Sequence, residues 1–101
     1  MTDKVQFSKR GARDIERLSQ SQRIRVRKVL NSLSKDPAPT NLDLRPLVGH
    51  EPWLRLRIGT LRVIFRRLTL EESRPRGIRG HGYLVERVVD RRDLDKAVGP
   101  L

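Results

Sequence analysis

Between Trp53 and Arg66 apolar and polar side chains alternate in two runs. Leu54, Leu56 and Ile58 fall on one side of the first, with Trp53, Arg55 and Arg57 on the other. Leu61, Val63 and Phe65 share one side of the second, with Arg62, Ile64 and Arg66 opposite. A period of two predicts two strands, and Gly59-Thr60 between them predicts a tight turn. One face then meets a core and the other stays wet. The wet face carries several arginines on neighbouring strands, which repel one another. Such an arrangement is kept most easily when a polyanion neutralises it.

The rest of the chain supplies what covers the dry face. Val5 and Phe7 around Gln6 predict a short first strand, and Ser8 can cap a helix that starts at Lys9. Ala12, Ile15 and Leu18 recur along that helix, which is expected over 9–19. Ser21 can cap a second helix, over 21–35, in which Val26, Val29, Leu30 and Leu33 form one apolar stripe. Ile24 lies on its opposite side. Asp36-Pro37 stops it. Residues 37–52 read as a long connection tethered by Leu42, Leu44 and Leu47. Residues 71–82 read as a mobile, polar, basic loop. Tyr83–Val89 is apolar enough for a strand covered on both faces, broken by Glu86 and Arg87, and 91–98 allows one or two helical turns. The order is β-α-α-β-β-β with a short C-terminal helix: an α+β layer structure in a single domain over 1–101.

Charge sharpens this picture. The 101 residues carry a formal net charge of +11, and 18 of the 23 cations are arginine. Arginine brings a planar fork that grips phosphate with two bonds and stacks on bases, so the composition points to a nucleic-acid or other polyanionic partner. There is no cysteine, hence no disulfide and no thiolate metal site. His50 and His81 lack a second ligand at regular spacing, and no phosphate-loop or dinucleotide fingerprint appears, so neither metal nor cofactor is expected. The N-terminus MTDKVQFSK has no apolar leader core. No stretch approaches a membrane span, and a soluble cytoplasmic protein is expected.

The remaining chemistry is the arginine cluster: Arg55, Arg57 and Arg62 on the hairpin, with Arg91 and Arg92 after the last strand. Fixed guanidinium groups can stabilise the charge that grows on phosphate oxygens as a ribose 2′-OH attacks its own phosphate. Glu51, Glu86, His50 and His81 are the candidate general bases. Trp53 reads as packing or as a base-stacking platform, and Glu86 as an ion-pair partner of an arginine. Arg66, Arg67, Arg74, Arg76 and Arg79 read as solvated or backbone-contacting surface; Arg66, together with Arg92 and Arg45, is also a candidate RNA contact.

The motifs FSKRGARDIERL, KDP, PLVGHEPWLRLRIGTLRVIFRRL and YLVERVVDRRDL together resemble the RelE/ParE toxin superfamily of type II toxin–antitoxin systems. The resemblance implies a two-helix hairpin packed on a twisted, mainly antiparallel, four-stranded sheet. It also implies a ribosome-dependent endoribonuclease that cuts translated mRNA in the ribosomal A site. Arg55, Arg57 and Arg62 take the positions of that family's site, with Arg91, or its neighbour Arg92, as the last member. The implied partners are the ribosome with its mRNA and rRNA, and a small, partly acidic antitoxin that wraps the toxin; no membrane is implied. ParE-like members share the fold and inhibit DNA gyrase, which is the alternative. The chain departs from the RelE-like pattern at Asp95, where many members have tyrosine, at Asp90 and at Val48. On a continuous helical turn Asp95 is expected to pair with Arg91.

Overall fold

The computed structural model describes residues 4–35 and 39–101. In chain order the elements are β1 (Val5–Phe7), α1 (Lys9–Arg17), α2 (Gln20–Leu33), β2 (Leu44–Pro46), β3 (Leu54–Ile58), β4 (Leu61–Arg67), α3 (Leu70–Ser73), β5 (Tyr83–Asp90) and α4 (Leu94–Val98). Short 3-10 turns follow α3 and precede α4. The sheet order is β1-β5-β4-β3-β2. β1 runs parallel to β5, and every other pairing is antiparallel.

The sheet has five strands, not four. β2 falls inside the stretch expected to be a plain connection, and its three residues pair with Leu54–Leu56. A three-residue strand that ends in proline leaves no alternation to read, and proline is tolerated because this is the sheet's edge.

The hairpin of β3 and β4 turns at Gly59-Thr60, with Ile58 opposite Leu61. Gly59 sits at φ +59°, a conformation that favours glycine. Leu56, Ile58, Leu61, Val63 and Phe65 face a core that α2 closes with Val26, Leu30 and Leu33. These three lie at i, i+4 and i+7, so one stripe of the helix does the burying. Val29, Ile15 and Leu18, expected to be buried, are only half-buried at the margin. Ser19, not Ser21, caps α2: its Oγ accepts from Gln22 N while the Gln22 side chain accepts from Ser19 N. The Ser19-x-x-Gln22 spacing was the signal for this box. The stop at Asp36-Pro37 lies outside the described residues.

The seating of α1 differs from the expected Ala12-Ile15-Leu18 stripe. Ala12 is exposed, and Ser8, Gly11 and Asp14 meet β5 instead. β1 pairs with only the first three residues of β5, Tyr83 to Val85. Beyond them the β5 backbone has no strand on that side, and buried backbone groups must find partners elsewhere. Helix α1 provides them. Ser8 N donates to Val85 O (3.0 Å) and Ser8 Oγ to Glu86 O (3.1 Å). The Asp14 carboxylate accepts from Val88 N (2.9 Å) and from Arg87 Nε (2.8 Å). Asp14 is 7% exposed. Arg87 thus pairs with Asp14, while the Glu86 carbonyl is what Ser8 binds; Glu86 is the extra residue of a bulge opposite Ile64/Phe65.

A Cβ on Gly11 would lie 2.5 Å from Val85 O. Gly11→Ala is therefore expected to lower stability by about 1–3 kcal/mol, although alanine favours helix by about 1 kcal/mol. Denaturant unfolding of the two proteins checks this; an unchanged or raised midpoint contradicts the close seating of α1.

Two further expectations are corrected. Residues 71–82 are not a plain loop: Thr69 and Glu72 form a capping box that starts α3, and Ser73 and Ile78 are buried. The opposite face of the sheet is not uniformly wet either. Ile64, Val89 and Ala97 form a second, smaller cluster, bordered by Leu47, Trp53, Leu94, Val98 and Leu101. The chain returns after β5 to lay α4 over that face.

Candidate nucleic-acid interface

The second face carries the predicted site. Alternation and register place Arg57 opposite Arg62, Arg55 opposite Ile64, and Arg45 of β2 opposite Arg55. Arg91 N donates to Thr60 O (2.8 Å), which brings the end of β5 to the hairpin turn. Arg62 feels the charges of Arg57, Arg55 and Arg91. The four residues expected to form the centre are thus brought together around one of them.

Arg62 is the unusual member. It is 8% exposed, and its NH1 donates to Gly59 O and Leu61 O, both at 2.9 Å. The side chain curls back over the turn, held by neutral acceptors. Burial pushes its guanidinium below the ordinary arginine pKa; Arg57, Arg55 and Arg91 push the same way, and Asp43 opposes them. Arginine nonetheless stays charged at neutral pH. Alternation alone put Arg62 on a wet face; in the fold the side chain is buried, turned back onto the Gly59 and Leu61 carbonyls.

Asp43 is the residue missed from the sequence. Its carboxylate lies 3.3 Å from Arg55 NH2, 3.8 Å from Arg45 Nε and 3.9 Å from Arg57 NH1. It holds the outer three cations while Arg62 keeps only carbonyl partners. An isolated aspartate in a polar connection shows no periodicity, so only the β2–β3 pairing reveals its position.

The outlying candidates are placed differently. Arg92 is tied to Asp90, Nε to Oδ1 at 3.1 Å, and its own N–H bonds the same oxygen. Arg66 makes a two-bond pair with Glu72 at 2.9 and 2.8 Å, and its guanidinium stands 5.8 Å from the Trp53 ring centroid. The Arg66 bonds, then the Thr69 backbone N–H, hold Glu72 down to about 2. Trp53 borders the second apolar cluster. Asp95 does not pair with Arg91. A 3-10 turn at Arg91–Asp93 separates them, so the spacing of one continuous helix is lost.

Among the candidate bases, His81 Nδ1 lies 3.1 Å from Leu68 O, beyond the far end of β4 from Arg62. The backbone of His50 belongs to the turn between Leu47 and Trp53. Among the described residues no group of three or more His, Cys, Asp or Glu is placed to hold a metal ion, and no helix is long and apolar enough to cross a membrane.

No protein-family model matches the chain, and no curated protein matches it. Among solved structures, a chain of the RelB–RelE antitoxin–toxin complex from Methanococcus jannaschii aligns with a TM-score of 0.67. The alignment covers 90% of this chain and 95% of that one, at 15% identity. At that identity the likeness is one of architecture alone, and this chain has a RelE-like fold.

Proposed function

We propose that this chain is the toxin of a toxin–antitoxin pair and acts as an endoribonuclease on translated mRNA in the ribosomal A site. The observation that carries the reading is Arg62: a desolvated guanidinium, bonded only to neutral carbonyls and surrounded by Arg55, Arg57 and Arg91. A buried cation among like charges is relieved by an arriving anion. In the reaction, the ribose 2′-oxygen bonds to phosphorus and the bond to the 5′-oxygen breaks. One proton leaves the 2′-OH and one reaches the departing oxygen. Negative charge peaks on the non-bridging oxygens between those events, where pre-oriented donors stabilise it most. The double carbonyl contact of NH1 orients the Arg62 fork, and Arg55, Arg57 and Arg91 hold the flanking phosphates. Arg45, Arg66 and Arg92 extend the same RNA-binding face.

The fold is shared with a chain from a complex of toxin and antitoxin, which supports a cognate antitoxin here. A small, partly acidic chain that folds as it binds suits the outer side of α2. There Ile24 is 62% exposed in a groove with Arg23, Arg27 and Lys28. The pair would work in the cytoplasm, with the ribosome as the toxin's target.

The test is a message incubated with the purified chain, with and without ribosomes, and read by primer extension. The expected result is cleavage within codons only when the message is being translated. An intact message together with blocked gyrase supercoiling overturns the reading in favour of the ParE-like alternative.

A further inference from the structure

A second cationic hollow lies away from the arginine face. Lys4, Ser34, Lys35, Arg67, His81 and Tyr83 line a cavity of about 350 Å³. Arg67 ends β4 and Arg62 stands near its start, five residues earlier, which is about 17 Å along a strand. Odd and even positions point to opposite faces, so the two arginines lie on different sides of the sheet. The hollow therefore opens on the helix side, at the end of the core remote from the hairpin turn.

Its walls come from four separate stretches of chain, and the backbone fixes three of them together. Tyr83 N donates to Lys4 O, and Leu68 N to Gly82 O, both at 2.8 Å. A Cβ on Gly82 would stand 2.8 Å from Lys4 O, so this closeness depends on glycine. Leu68 O, in turn, is bonded by His81 Nδ1 at 3.1 Å. Tyr83 is held edge-on against Phe65, ring centroids 5.9 Å apart.

Two features ask for an anion. No carboxylate among the described residues pairs with Lys4, Lys35 or Arg67 or lines the hollow; Asp3 and Asp36, chain neighbours of the two lysines, lie outside the described residues. Ser34 also lines the hollow, and its hydroxyl is buried with no hydrogen-bond partner. Buried hydroxyls are nearly always bonded; a rotation of the Ser34 side chain into the hollow would let a phosphate oxygen accept from it while the three long cations close around it.

We propose that the hollow lined by Lys4, Ser34, Lys35, Arg67 and His81 is a binding site for a phosphate group, separate from the arginine face. The phosphate comes either from a nucleic-acid backbone or from a free phosphate ion. The site does not depend on the reading of Arg62: a chain with no nuclease activity would still carry it.

The test is an amide chemical-shift titration of the ¹⁵N-labelled full chain with inorganic phosphate, and separately with a short single-stranded oligoribonucleotide. Saturable shifts at Ser34, Arg67, His81 and Gly82 are expected. Arg67→Gln should weaken binding there by roughly tenfold, the loss of one charge-assisted contact. Ser34→Ala, which changes no charge, should weaken it less, and Arg76→Gln, an exposed cation elsewhere, should leave it unchanged. Saturation by inorganic phosphate alone assigns a free-ion site; saturation by RNA, with or without competition by phosphate, assigns a backbone contact. The proposal is overturned if neither probe moves these residues, or if Arg67→Gln and Arg76→Gln weaken binding equally, since that would mean only diffuse attraction to a basic protein.

Discussion

Replacing Arg62 with alanine is expected to lower message cleavage on programmed ribosomes by about 10²–10³-fold, the usual cost of removing one pre-oriented donor to a developing oxyanion. Ribosome binding should change far less, because Arg55, Arg57 and Arg91 remain on the face. The fold should survive: the substitution removes two bonds to Gly59 O and Leu61 O but also a buried charge that like charges surround. Arg62→Lys should recover only part of the rate. A lysine can carry the charge, but it has no planar fork to bond two carbonyls with one nitrogen while presenting others to phosphate. Single-turnover cleavage beside a binding measurement checks each point. Full activity in Arg62→Ala would remove this residue from the mechanism and shift the weight to Arg55, Arg57 and Arg91.

Asp14 carries the second large effect, on stability. Asp14→Ala is expected to cost about 3 kcal/mol, from a charge pair broken on one side and a buried backbone donor left without its acceptor. The Arg87 end is partly solvated, with 24% of the side chain exposed against 7% for Asp14, so the upper range for fully buried pairs does not apply. Asp14→Asn should cost clearly less, because its amide oxygen can still accept from Val88 N. For a domain of this size such a loss is a large share of total stability. Chemical denaturation of the three proteins orders them; equal midpoints for wild type and Asp14→Ala would show that water replaces the carboxylate at no cost.

These two residues mark the boundary of what the chain reveals before it folds. The hairpin was legible because both its strands alternate, Ile64 being the one apolar residue on the arginine side, and α2 because Val26, Leu30 and Leu33 keep helical spacing. The grouping of Arg55, Arg57 and Arg62 followed from the same alternation. Three other features required the third dimension. Asp14 stands among Arg13, Glu16 and Arg17 and reads as one more solvated charge; its role exists only because β1 stops three residues into β5. Asp43 becomes a partner of three arginines only when β2 pairs with β3. Arg62 is buried only once its side chain turns back onto the carbonyls of Gly59 and Leu61, which alternation does not foretell. The capping boxes at Ser19 and Thr69 belong to a different class, since both spacings were present in the sequence.

The meeting of β1 with β5 also sets an order of assembly. Val5 pairs with Tyr83, 78 positions later, and the seat of α1 is built from Val85 to Val88. Chains are made from the N-terminus, so the first helix emerges long before there is anything for it to rest on. Contacts this distant must wait for the closing of a long loop. The same late segment delivers Arg91 to the turn at Thr60. A polypeptide halted before Tyr83 thus lacks both the surface that seats its first helix and the fourth cation of its cluster. The architecture ties assembly of the cluster to completion: during synthesis the partial chain carries the hairpin arginines without the frame that gathers them.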